Sequence, residues 1–287
     1  MRTAIDVGAS CPIVVVMLRG GLGNQMFQYA IGRTIAEKQS RMLVLDDLAL
    51  EVDHPDRTKR RYELFAFEIQ AALTSQTQIN RDGIRAVIMQ DRRGFHEDAI
   101  KPSSCPHLEL HGFWQSENYF ADISGLLRDH FRMRPGPWDA SPWQGQIASA
   151  RNPVCIHVRR QDYLYPDTSL QFVGQDYYQN AVAMMKRDIP DCHFFIFSDD
   201  LPWCRENLRL DHPHSFVEHG KNHSDLTHVD FKLMAMCRHF IIANSSYSWW
   251  PAWLGTDPQK MVIAPMTWFA DIPSDSAHVP PSNWLRI

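Results

Sequence analysis

The chain has 287 residues, of which 44% are hydrophobic and 22% charged. That balance excludes disorder, and a chain of this length builds a core without disulfide or metal staples. A formal charge of −4 argues against a dedicated nucleic-acid binder, which would be basic.

Ile13 to Leu18 is the longest clean apolar run near the start, far short of the ~20 residues of a membrane span. No apolar stretch there is long enough for a signal peptide. Residues 1–12 read as a disordered lead-in ending at Pro12. Ile13–Leu18, rich in β-branched residues, predicts a buried parallel strand. Arg19-Gly-Gly-Leu-Gly23 predicts a turn, and Asn24 is placed to cap the helix that follows. Phe27, Ala30, Ile31 and Ile35 fall on one face of that helix. Met42–Leu45 predicts a second strand ending at Asp46-Asp47, completing a right-handed βαβ unit. Residues 53–61 are charged and read as exposed. Leu108–Leu110 predicts a strand running into the loop His111-Gly-Phe-Trp-Gln115, and Glu117–Phe131 predicts a helix. Between 48 and 108 little is legible.

Pro135, Gly136, Pro137, Pro142 and Gly145 form the strongest linker signal in the chain. The expected division is an N-terminal Rossmann-like domain over 13–135, a linker over 135–151, and a C-terminal domain over 152–287. The second half restarts the rhythm. Strands are expected at Val154–Val158, His193–Phe197, Phe240–Ala243 and Met261–Ala264. Helices are expected at Tyr177–Arg187, Leu226–Cys237 and Ser248–Leu254. Two doubly wound α/β halves facing across a cleft follow from this alternation.

The six cysteines, Cys11, Cys105, Cys155, Cys192, Cys204 and Cys237, are scattered and include no C-x-x-C. They read as free thiols of a reducing compartment. His107 with His111, and His219 with His223, are spaced i, i+4. Neither pair has the glutamate of an H-E-x-x-H site, so no metal is expected.

Ligands of parallel sheets bind beyond the carboxyl ends of the strands, and four polar clusters fall there: Gly20–Gln25, Arg159–Asp162, Ser198–Asp200 and Asn244–Ser248. Gly21 and Gly23 fit the first two glycines of a dinucleotide fingerprint, with Asp46 where a ribose-binding acid would sit. The third position is Met26, which lacks the close helix–strand approach that glycine permits. In His157-Val-Arg-Arg-Gln-Asp162, strand alternation puts His157 and Arg159 on one face. Two arginines leaving a core suit phosphate oxygens, and Asp162 could orient one of them. Asn244-Ser-Ser-Tyr-Ser-Trp-Trp250 offers hydroxyls and N–H groups at a helix start, a second anion cradle. Trp249, Trp250 and Trp253 read as core. With no P-loop and no D-x-D between apolar strands, a diphosphate leaving group held by arginine points to a nucleotide-sugar transferase.

These residues resemble a known family. Arg19-Gly-Gly-Leu-Gly-Asn-Gln-Met-Phe-Gln28, His157-Val-Arg-Arg-Gln-Asp-Tyr163, Phe197-Ser-Asp-Asp200 and the stretch from Asp230 through Leu254 are similar, in order, to motifs of bacterial α-1,2-fucosyltransferases of glycosyltransferase family 11. The resemblance implies a GT-B-like fold with an N-terminal acceptor half and a C-terminal half for GDP-fucose. It implies metal-independent, inverting transfer of L-fucose to the 2-hydroxyl of a terminal galactose on a glycan. Arg159 would hold the β-phosphate. Asp230 would read the guanine edge, and Ser245, Ser246 and Tyr247 would cradle the diphosphate. Asn24 would sit near the fucose. Gly21, Gly23, Gln25, His157, Arg160 and Asp199 complete the expected donor-binding set. Asp162 and Asp167 are candidate bases. Gln161, where family members commonly have glycine, and the segment after Tyr163 depart from the pattern.

Two other readings compete. An NAD-dependent oxidoreductase would rest on Gly21, Gly23 and Asp46, and would leave both arginines idle. A non-catalytic carbohydrate-binding protein would have no use for a diphosphate grip. Missing export signals and free thiols suggest the cytoplasm. Attachment to the inner membrane face, near lipid-linked glycans, finds no basic amphipathic helix in its support.

Overall fold

The computed structural model describes residues 3–4, 12–52, 60–78, 86–90, 95–160, 172–219, 226–270 and 273–287. The chain divides into two compact units, Met1–Arg134 and Pro135–Ile287.

The first unit contains β1 (Thr3–Ala4), β2 (Ile13–Met17), α1 (Leu22–Gln39), β3 (Met42–Asp46), β4 (Ala72–Leu73), β5 (Thr77–Gln78), β6 (Ala86–Met89), β7 (His107–His111) and α2 (Ser124–His130). Five strands form a parallel sheet in the order β4-β3-β2-β7-β6. β2 lies at its centre, with Ile13 to Val16 wholly buried. A strand covered on both faces needs an unbroken apolar run rather than an alternating one. Helix α1 is buried almost all round, not on one stripe, with Phe27, Tyr29, Ala30 and Ile31 all at 0% exposure. A Cβ on Gly32 would lie 2.5 Å from Val16 Cγ2 and 2.8 Å from Leu43 Cδ1. The close helix–sheet approach denied by Met26 is therefore made lower down the helix.

Three expectations for this unit need correction. Thr3–Ala4, inside the supposed disordered lead-in, pairs in parallel with Thr77–Gln78. Asn24 does not cap α1, because Gly21 is the N-cap and Asn24 lies within the first turn. The expected helix over 117–131 is broken into 3-10 turns at Glu117–Tyr119 and Ala121–Ile123 before α2. Phe120 leaves helical geometry (φ −138°) and packs its ring 6.1 Å from that of Phe27. Burying that aromatic outweighs local helix propensity.

The second unit contains α3 (Trp143–Ser149), β8 (Asn152–Val158), α4 (Gln175–Asp188), β9 (Cys192–Ser198), α5 (Leu201–Asn207), β10 (His214–Phe216), α6 (Leu226–Ala235), β11 (His239–Ile241), α7 (Ser246–Leu254), β12 (Val262–Ala264) and β13 (Leu285–Arg286). The six strands are parallel in the order β10-β9-β8-β11-β12-β13. From β8 the chain winds outward to β10, then returns to the other side of β8. The crevice between β8 and β11 is thus the topological switch point of a Rossmann-type sheet.

On one face Val154, Ile156 and Val158 pack with Phe194 and Ile196 against Tyr178, Ala181 and Met185 of α4. Trp249, Trp250 and Trp253 of α7 are buried, as expected of core, and the Trp249 indole N–H donates to Val279 O at 2.8 Å. The stretch 135–151, read from sequence as a linker, belongs to this second unit. It carries α3 and buries Trp138 and Ile147. Among the described residues no helix is long and apolar enough to cross a membrane. Cys105, Cys155, Cys192, Cys204 and Cys237 are free thiols, and Cys11 lies outside the described residues.

Candidate functional site

At the carboxyl end of β8, alternation separates the core residue Val158 from His157 and Arg159. The His157 ring is 3% exposed and lies 5.7 Å from the Tyr247 ring. It therefore reaches from β8 to the helix that follows β11. Burial, with the Arg159 charge adding to it, pushes the imidazole down to about 3, so the ring is neutral. Its Nδ1 is buried without a hydrogen-bond partner. The Arg159 side chain keeps 28% of its surface exposed, with Nε 3.3 Å from Asp199 Oδ2. Asp199 Oδ1 also accepts from Arg160 N at 2.9 Å. One carboxylate thus fixes both the Arg159 guanidinium and the backbone beyond it.

Arg160 is used differently from the expectation. Its Nη1 donates to Asp200 Oδ2 at 2.6 Å, and its guanidinium lies 5.4 Å from the Trp203 ring centroid and 5.8 Å from that of Phe172. Asp200 in turn caps α5 by accepting from Trp203 N at 3.1 Å. Arg160 therefore clamps β8 to α5, and Asp200 orients it, the role expected of Asp162. Asp162, Asp167 and Gln161 lie outside the described residues.

Beyond β11, Ser245 is the extended N-cap of α7, and its hydroxyl makes no capping bond. Its carbonyl takes the Trp249 N–H at 3.1 Å. Ser246, Tyr247 and Ser248 form the first turn of α7, the positive end of its dipole, where negative charge is favoured. Ser246 lies in this turn, half-buried. The Tyr247 hydroxyl donates to Thr227 O at 2.6 Å, and its ring lies 5.7 Å from that of His157 and 6.1 Å from that of Phe231. Asp230 on α6 has its Oδ1 2.5 Å from His219 Nε2, with the Asp230 side chain 26% exposed and that of His219 only 6%. The sequence weighed His219 only as a metal ligand beside His223, which lies outside the described residues. Its partner is 11 positions away, and no local spacing rule finds it. Among the described residues no group of three His, Cys, Asp or Glu could hold a metal ion.

The switch point of the first sheet, between β2 and β7, gathers carboxamides, with the Arg60 guanidinium and the Glu63 carboxylate beside Gly21. Gly20 adopts φ +73°, and a Cβ there would lie 2.5 Å from Asn24 Nδ2. Gly21 O accepts from Asn24 N and Gln25 N at 3.0 and 3.1 Å. Gln25, expected to face ligand, is fully buried. Its Nε2 donates to Gly20 O and Arg61 O, at 3.0 and 2.8 Å, and its Oε1 accepts from Glu63 N at 2.9 Å. It is a backbone strut. Gly23 is buried as well, whereas Asn24 is half-buried and its Oδ1 accepts from Gln115 Nε2 at 2.7 Å. Asp46 is 3% exposed and accepts from Thr74 Oγ1 at 2.6 Å, so it is no ribose ligand and the dinucleotide reading loses its acid.

The profile of the family described as Glycosyl transferase family 11 matches residues 13–286. An α-1,2-colitosyltransferase of Escherichia coli is 31% identical, over 96% of this chain and 99% of its own length. Galactoside α-(1,2)-fucosyltransferase 1 of Mus musculus is 28% identical, over 82% of this chain and 61% of its own. A crystal structure of NodZ α-1,6-fucosyltransferase soaked with GDP-fucose, the Bradyrhizobium protein, is similar in fold at a TM-score of 0.52. The match has 16% identity and covers 85% of this chain and 93% of that one. The α/β architecture of two Rossmann-like units is accordingly GT-B-like.

Proposed function

The chain belongs to glycosyl transferase family 11, and we propose that it moves L-fucose from GDP-fucose to the 2-hydroxyl of a terminal galactose, with inversion. The observation that carries this reading is the pairing across the β8/β11 crevice. The Arg159 guanidinium, braced by Asp199, stands on one side, and the N-terminus of α7 on the other.

Inversion is a single displacement. The acceptor oxygen attacks the anomeric carbon as the bond to the diphosphate oxygen breaks, and the hydroxyl proton passes to a base. Negative charge grows on the β-phosphate. A fixed guanidinium and helix N–H groups meet that charge without reorganising, which is where electrostatic catalysis is strongest. Asp199 is the brace for Arg159, Asp230 takes the guanine N–H donors, and His219 holds Asp230. Arg159 stands in for a metal at the leaving group. Asp162 and Asp167 remain the candidate bases. The second unit takes the donor, and the first takes the galactoside.

Colitose lacks the 3-hydroxyl of fucose, and a relative is named for it, so the donor sugar is tested directly. The experiment is calorimetric titration of GDP in EDTA, followed by turnover with GDP-fucose and with GDP-colitose on a galactoside. Micromolar GDP binding in EDTA and faster turnover of GDP-fucose are expected. Binding only with Mg²⁺ would overturn the arginine account, and preference for GDP-colitose would overturn the sugar assignment.

A further inference from the structure

The turn after β7 is strained and held from several sides. Trp114 is 1% exposed and sits in the left-handed region at φ 56°, where a bulky residue costs roughly 1–3 kcal/mol unless its surroundings enforce it. Here they do. Gln90 Oε1 accepts from both Phe113 N and Trp114 N, at 2.9 and 2.8 Å. Ser116 N donates to Trp114 O at 2.8 Å, and Gln28 Nε2 donates to Gly112 O at 3.0 Å. The indole packs edge-on against Tyr119 at 5.5 Å. What this turn delivers is Gln115, whose Nε2 donates to Asn24 Oδ1 at 2.7 Å. Gln115 Oε1 is buried with no partner, an arrangement that costs free energy and that a purely structural site would avoid.

The consequence falls on Asn24. With Oδ1 held by Gln115, the orientation of its carboxamide is fixed, and the Nδ2 hydrogens are the donors it presents. The space beside Nδ2 is kept clear because residue 20 has no Cβ. We infer that Gln115 is a positioning residue of the transfer reaction, holding the Asn24 carboxamide so that its NH₂ donates to an oxygen of the sugar substrate. The inference rests on the assignment of Asn24 to the sugar. It adds that Asn24 acts as a donor, oriented by a residue some ninety positions away.

A double-mutant cycle tests it, with kcat and KM for GDP-fucose and galactoside measured on wild type, N24A, Q115A, N24A/Q115A and Q115E, alongside thermal melting. A residue acting through another shows coupling that vanishes when the other is removed. N24A is expected to lower kcat/KM by ten- to a hundredfold, and Q115A by about tenfold in wild type but less than about twofold in the N24A background. Q115E keeps the shape but replaces the donor with an acceptor, so Asn24 must turn its NH₂ inward. A loss at least as large as that of Q115A is expected, in kcat more than in melting temperature. Wild-type kinetics in Q115E, or equal losses from Q115A in both backgrounds, would overturn the inference and leave Asn24 in place. Wild-type activity in N24A would overturn the assignment of Asn24 and the inference with it.

Discussion

The two switch points of this molecule differ in the balance of their materials. In the second unit the strand ends carry formal charge, Arg159, Arg160, Asp199 and Asp200, with Asp230 on the neighbouring helix α6. In the first unit the same topological place gathers carboxamides, namely Asn24, Gln25, Gln28, Gln90 and Gln115, with Arg60 and Glu63 beside Gly21. A diphosphate that gains charge calls for a guanidinium and a helix N-terminus. A sugar hydroxyl calls for neutral donors and acceptors, whose desolvation costs far less than that of an ion. On the proposed assignment, diphosphate to the second unit and sugar to the first, the material of each crevice matches its ligand.

The comparison breaks first at the paired arginines. R159A is expected to lose roughly 10²–10³ in kcat with the melting temperature unchanged, because its guanidinium meets transition-state charge. R160A should do the reverse. It is expected to destabilise the fold by about 1–2 kcal/mol, through loss of the Asp200 pair and of packing on Trp203, with a much smaller rate effect. Rate assays and denaturant melts on the two variants decide it. Equal rate losses would mean that both arginines face the diphosphate.

A second test uses acid. His157 ionises at about 3 when folded against an ordinary 6.5, and His239 at about 4, both because burial disfavours the charged ring. Below pH 6.5 the unfolded chain binds protons that the folded chain refuses, so stability present above that pH is lost as pH falls toward these values. Between pH 6.5 and 5 each ring adds a slope of up to about 1 kcal/mol per pH unit. Denaturant midpoints across that window should show H157Q with a visibly flatter slope than wild type. An unchanged slope would mean that His157 accepts a proton in the folded state.

A further test is at Gly20. G20A forces a Cβ into the left-handed region and against Asn24, and should cost about 1–2 kcal/mol in stability. The same variant should lower turnover, since the clash moves the Asn24 carboxamide. Loss of stability with full activity would separate the turn from the reaction.

The strands that were legible in the sequence are those buried on both faces, such as Ile13–Met17 and Cys192–Ser198, where an apolar run has one explanation. Ala72–Leu73, Ala86–Met89, His214–Phe216 and Leu285–Arg286 were not. They are short or lie toward sheet edges, with exposed residues such as Val87 and Met89, and pairing rather than composition makes them strands. Within the candidate site, Arg159 and the serine turn were conspicuous as candidates because they put charge and hydroxyls at the end of an apolar strand. Gln115 and His219 were not, because each is defined by a partner distant in sequence. Gln25 was misplaced among ligand-facing residues. A carboxamide in a glycine turn reads the same whether it meets a ligand or the backbone of residues 61–63.

The strand order of the first sheet also sets a timetable for synthesis. β2 has β3 on one side, made almost at once, and β7 on the other, which leaves the ribosome about 90 residues later, roughly 5–20 s at ordinary elongation rates. For that interval one edge of a wholly apolar strand has no neighbour of its own to pair with. Faster translation shortens this bare-edge period and slower translation lengthens it. The second sheet repeats the delay, since β8 waits about 80 residues for β11, so yield in a cell should respond to codon choice between residues 18 and 106 and between 159 and 238 more than to changes of the same size after residue 264.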